Sequence, residues 1–136
     1  MTLPALPGIP ADAPPLVVRL PHPGCFLVQK FLIAEKRDPE TERPKDMGYV
    51  YQVVQLLARD LPKLAETARA ILETSAARES WLARARWVAA ALFTSPAAPG
   101  VTDAHRVLEA ELVGRGVAIP SLAQIHAAVQ VFCRAL

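Results

Sequence analysis

At 136 residues the chain has the size of one ordinary domain, able to bury about two thirds of its unfolded surface. Hydrophobic residues make up 52% of it, charged residues 21% and aromatic residues 6%, so the core must be assembled mainly from Ala, Leu and Val, a composition that favours helices. The 15 basic and 13 acidic residues leave a formal charge of +2 and are mixed along the chain, so no strong positive field marks a nucleic-acid-binding protein.

Residues 1–15 (MTLPALPGIPADAPP) hold five prolines and no Lys or Arg. Proline removes backbone donors and fixes φ, so this stretch is expected to be an extended arm or linker, and it lacks the basic start and apolar run of a secretory signal. Leu16 to Leu20 (LVVRL) has the β-branched content of a short edge strand boxed in by Pro15 and Pro21. An isolated strand is marginal, so the arm and strand are expected to pair with each other, with a second copy of the chain in a homodimer, or with a partner protein.

Pro23 and Gly24 open a helix expected to run to about Lys36. Phe26, Leu27, Val28, Phe31, Leu32, Ile33 and Ala34 cover nearly its whole circumference, which predicts a helix surrounded by protein. Asp38 to Pro44 reads as a solvated loop. A second helix is expected from Lys45, with Asp46 suited to capping its first turn and Met47, Val50, Tyr51, Val54, Leu57 and Leu61 turned inward.

Pro62 fits a third helix start, and apolar stripes continue through Leu72 and again from Trp81 to Phe93, with a turn expected near Thr74-Ser75. Ser95 to Gly100 (SPAAPG) breaks the pattern. Thr102 is expected to cap the next helix, closed by Gly114 and Gly116, and Ser121 with Gln124 makes a capping box for the last. The expected fold is mainly α, a bundle of five to six helices around a central apolar helix, with residues 1–15 as the arm and 16–136 as a single helical domain. Charge interrupts every apolar run well short of the roughly 18 residues of a membrane span. Cys25 and Cys133 lie in apolar runs without ligand-spaced neighbours, as expected of buried thiols in a reducing cytosol, and a cytoplasmic location follows.

The residues with chemistry to offer cluster around the first helix. Lys30 and Arg37 are seven residues apart, about two turns, and so share a face. Lys30 stands among Phe26, Leu27, Ile33 and Ala34, where an amine is costly unless only its stem is buried or an anion meets it. Lys45 and Asp46 return across a short loop, so that three cations and one carboxylate could form a phosphate-holding site. The alternative for the same residues is structural: a snorkelling Lys30, an Arg37–Asp46 bridge between helices, and a solvated Lys45.

This order, an apolar helix with Lys30, then Arg37, then Lys45-Asp46 opening another helix, resembles the region that follows the catalytic core in nucleotidyltransferase-fold proteins of the AbiEii toxin kind and their bacterial relatives. LVVRL followed by Pro21-His22-Pro23 is similar to the family's lead into that helix. The resemblance implies phosphate binding by Lys30, Arg37 and Lys45, with Asp46 as a site or structural carboxylate, and it covers about residues 16–60. Two departures stand out. The family's Gly-Ser turn and paired metal-binding Asp residues have no counterpart before residue 23, where Asp12 is the only acid, and Tyr49 stands where an acid or amide often follows Asp46. The resemblance therefore implies a nucleotidyltransferase-like protein inactive on its own, with magnesium and a nucleoside triphosphate entering only if a catalytic core is supplied elsewhere. The competing expectation is a helical protein–protein interaction or dimerisation module without ligand chemistry.

Other residues point to less. His22, His105 and His126 lack partners at metal-ligand spacing. Trp81, Arg84, Arg86 and Trp87 could stack nucleotides, but a core-tryptophan helix with solvated arginines is the expected reading. Gly116 to Val129 has the outline of a helix-turn-helix with almost no Lys or Arg to meet DNA.

Overall fold

A computed structural model describes residues 21–136. The expected arm and edge strand lie outside the described residues. Among those described, the chain forms six helices: α1 (Pro23–Ala34), α2 (Glu42–Leu56), α3 (Leu61–Leu72), α4 (Ala76–Phe93), α5 (Pro99–Leu112) and α6 (Leu122–Ala135). No helix there is long and apolar enough to cross a membrane.

The near-complete apolar cover of α1 is explained by its neighbours, since α1 packs against α2, α3 and α4. Leu27 and Phe31 are fully buried, and the Phe31 ring meets Phe93 of α4 edge-on at 6.1 Å and Phe132 of α6 at 6.4 Å, so three helices converge on one aromatic cluster. Gly24 permits the close crossing of α1 and α3: a Cβ there would lie 2.4 Å from the Leu64 carbonyl oxygen. Gly114 and Gly116 adopt φ of +77° and +68° and close α5, as their sequence positions require.

The break at Thr74-Ser75 divides α3 from α4, and Ser75 caps α4 by accepting from the Arg78 amide. At α6 the capping box is complete: the Ser121 hydroxyl accepts from the Gln124 amide at 3.2 Å, and the Gln124 side chain accepts from the Ser121 amide at 2.8 Å. Ser121→Ala is expected to cost about 1 kcal/mol of stability, measured by urea unfolding, with an unchanged denaturant slope.

Four expectations need correction. Helix α1 ends at Ala34, and Lys36 and Arg37 sit in a tightening turn whose amides donate to Ile33 and Ala34 carbonyls. Helix α2 starts at Glu42 because Asp38 organises the loop: its carboxylate accepts from the Glu40 amide, the Thr41 amide and the Thr41 hydroxyl, each at 2.9 Å. Those bonds, led by the Thr41 hydroxyl, hold the Asp38 carboxyl below its ordinary pKa. Asp46 is consequently inside the helix and does not cap it. Likewise α5 begins at Pro99, and Thr102 donates its hydroxyl to the Pro99 carbonyl rather than accepting from an amide. Finally, Trp81 and Trp87 are exposed, at 50% and 59%, because Leu82, Ala85, Val88, Ala89, Leu92 and Phe93 already fill the inward face of α4.

Candidate functional site

The end of α1 and the start of α2 meet through one carboxylate. Asp46, almost fully buried on the fifth residue of α2, accepts from Lys30 Nζ at 2.6 Å through Oδ1 and from Arg37 Nε at 3.0 Å through Oδ2. Its two oxygens are thus shared between cations that approach from the middle of α1 and from the turn beyond it. A lone buried charge would be costly, and the double pairing offsets that cost. Arg37 also keeps a weaker partner, Glu42, at 3.6 Å.

The Lys30 amine is met by protein groups on several sides. It lies 5.2 Å from the centroid of the Phe26 ring and 5.7 Å from that of Tyr49, with its side chain 14% exposed. Aromatic faces and a carboxylate together give a cation a satisfied place inside an otherwise apolar region.

Lys45 is placed differently. Residues 45 and 46 are a third of a turn apart on a helix, so while Asp46 faces α1, Lys45 faces outward beside α5. It is exposed, takes part in no salt bridge among the described residues, and lines a groove with Tyr49, Gln52 and Glu111. It also sits in the first turn of α2, the positive end of the helix dipole, where an unaccompanied cation is unfavourable and an anion is welcome. Of the three expected cations, two therefore converge on Asp46 and the third stands one step away, with Tyr49 touching both places.

A second ion pair went unread in the sequence. Arg43 Nε donates to Asp103 Oδ2 at 2.7 Å, and Arg106 lies 3.9 Å from the same carboxylate and 3.5 Å from Glu40. Asp103 is buried on the inward face of α5 between Val101 and Ala104. An acid falling on an otherwise apolar stripe was the available signal, masked by taking Thr102 as a helix start. These pairs fix the α1–α2 loop against α5.

The remaining candidates do not join this cluster. Arg84 bridges to Glu35 and lies 4.6 Å above the exposed Trp87 ring, and Arg86 donates to the Leu136 carbonyl at 3.0 Å. Burial raises the Cys133 thiol pKa to about 12 and also raises that of Cys25. Cys133 is therefore expected to stay silent toward Ellman's reagent at pH 8 in the native protein, and to react once guanidinium unfolds it. The same shift has a sign for stability: the folded thiol keeps its proton where the unfolded one has lost it, so stability is full below about pH 8.5 and falls as pH climbs toward 12.

Among the described residues no group of three His, Cys, Asp or Glu side chains is placed to hold a metal ion. Asp46, with both oxygens committed to cations, is a poor magnesium ligand. The residues described thus do not fit the divalent ion that nucleotidyl transfer calls for.

Residues 7–73, just under half of the chain, match a family model described as Nucleotidyltransferase. The matched span contains Lys30, Arg37, Lys45 and Asp46 and runs through the end of α3. No curated protein and no solved structure matches the chain.

Proposed function

We propose that this chain is the cation-bearing helical part of a nucleotidyltransferase-like protein of the AbiEii kind, and that it holds the phosphates of a nucleotide at the junction of α1 and α2. The observation that carries this reading is the convergence of Lys30 and Arg37 on Asp46 inside the stretch that matches the nucleotidyltransferase family. In it Asp46 and Lys30 set the geometry, while Arg37, with its side chain 38% exposed, and Lys45 meet the phosphates. Arg37 uses Nε on Asp46, so the rest of its fork stays available for an oxyanion once Glu42 yields. Nucleotidyl transfer itself requires metal-holding carboxylates from another segment or another chain, so the chain alone binds without turning over. Isothermal titration with ATP and magnesium is expected to give heat, with an affinity that falls as salt is raised. No heat, together with an unchanged melting temperature, would remove the reading.

The exposed Trp81 and Trp87 favour a second role alongside the first. Two large apolar rings on one helix are the kind of anchor that protein interfaces use, so α4 is the face to examine for a partner or a second copy. Light scattering after size-exclusion chromatography tests this: a strict monomer that does not change with Trp81→Ala would count against self-association there.

A further inference from the structure

The groove between α2 and α5 shares Lys45 with the phosphate site, and its Tyr49 ring lies 5.7 Å from the Lys30 amine. We propose that this groove receives the purine base of the nucleotide, with Tyr49 as its stacking platform. The inference rests on the phosphate reading above and adds a base subsite to it.

The groove holds about 390 Å³ and is built from unlike ends. Lys45 stands at one end, where α2 begins, and Gln52 and Glu111 close the other. The floor is apolar and shallow because α2 and α5 approach closely at Gly48: a Cβ added there would lie 3.1 Å from Val107 Cγ1. Tyr49 is half exposed along the side. A slot with an aromatic wall, an apolar floor, a cation at one end and hydrogen-bonding groups at the other suits a flat polar ring that carries a phosphate chain.

The closed end carries the argument toward the base. Gln52 Nε2 donates to Glu111 Oε2 at 3.1 Å, which fixes the amide orientation and leaves the Gln52 carbonyl and the second Glu111 oxygen as acceptors. Acceptors of this kind match the exocyclic amino group of adenine, guanine or cytosine and not the carbonyl that uracil or thymine carries there, so the preference for a purine rests on stacking. A purine offers a larger stacking face to Tyr49 than a pyrimidine does. The Lys30 amine lies 5.7 Å from the centroid of the same ring and Lys45 lines the same groove, so a base on Tyr49 has two cations of the phosphate site beside it.

The test separates the two subsites by probing them separately in the full chain. Amide shifts are followed by NMR during titration with adenosine, uridine and inorganic triphosphate. Adenosine is expected to move Gly48, Gln52 and Val107, uridine to move them less, and triphosphate to move the residues around Arg37 and Lys45. Tyr49→Ala is expected to weaken adenosine binding about 5- to 150-fold, the range for loss of one stacked base, while leaving triphosphate binding unchanged. Tyr49→Phe is expected to restore adenosine binding, because the ring and not the hydroxyl does the stacking. Triphosphate shifts without adenosine shifts would overturn the base subsite and leave the phosphate reading standing. Adenosine shifts without triphosphate shifts would overturn the phosphate reading and leave the groove as a nucleoside site. Equal loss of both ligands in a folded Tyr49→Ala chain would also overturn the division of roles.

Discussion

Asp46→Ala is expected to lower the unfolding free energy by about 3 kcal/mol, the low end for breaking a buried ion pair by removing one partner. The cost arises less from the lost attraction than from what is left behind. Lys30, with its side chain 14% exposed, would be left among Phe26, Tyr49 and aliphatic neighbours with no carboxylate to meet it. Arg37 suffers less, since it is 38% exposed and has Glu42 at 3.6 Å to fall back on. For a chain of this size, 3 kcal/mol corresponds to a drop of roughly 10 °C in melting temperature. The asymmetry between the two cations gives a second check. Combining Asp46→Leu with Lys30→Met, which replaces the pair by apolar groups of similar volume, is expected to recover most of the loss, whereas combining Asp46→Leu with Arg37→Gln is not. Equal recovery in both combinations would show that Lys30 is not the residue that needs Asp46.

Phe31→Ala is the other large effect, expected at about 3–5 kcal/mol by chemical denaturation. Phe31 is fully buried where α1, α4 and α6 meet, and its ring contacts both Phe93 and Phe132. Removal therefore costs transfer free energy, a cavity bounded by three helices, and two aromatic contacts at once. Helix α1 is anchored elsewhere, at Gly24 against Leu64 of α3 and at Lys30 against Asp46 of α2, so it has little freedom to collapse into the space. Phe31→Leu is expected to cost less than half as much, because it keeps most of the volume and loses mainly ring contacts. A small effect for Phe31→Ala would mean that α1 is not the centre of the bundle.

Much of this fold could be read from local signals. The Ser121 and Gln124 capping box, the Thr74-Ser75 break and the two glycines after α5 each depend on residues within a few positions of one another, and each appears where its chemistry puts it. The apolar cover of α1 was legible for the same reason. What the sequence concealed was long-range choice. Asp46 and Asp38 were both acids near a helix start, and only the fold decides that Asp38 organises the loop while Asp46 turns inward to Lys30. Trp81 and Trp87 sit on a helix with more apolar residues than its buried face can take, and packing assigned that face to smaller side chains. Arg43 and Asp103 are sixty residues apart, so no local pattern could pair them. In the candidate site, sequence spacing brought Lys30, Arg37 and Asp46 together correctly. For Lys45 it left two places open, with the other cations or solvated, and the fold leaves it exposed, a third of a turn from Asp46 on a different wall.

The central claim is that Arg37 and Lys45 meet nucleotide phosphates while Lys30 and Asp46 hold the framework. Arg37→Gln with Lys45→Gln addresses it most directly, because Lys45 is exposed and the Lys30–Asp46 pair survives the change. Calorimetric titration of wild type and this double variant with inorganic triphosphate, alongside their melting curves, is the decisive measurement. The account predicts a melting temperature within a few degrees of wild type and at least a tenfold loss of affinity, about 1.4 kcal/mol. Unchanged affinity in the folded double variant would contradict it and leave the Lys30–Asp46–Arg37 cluster as a purely structural joint.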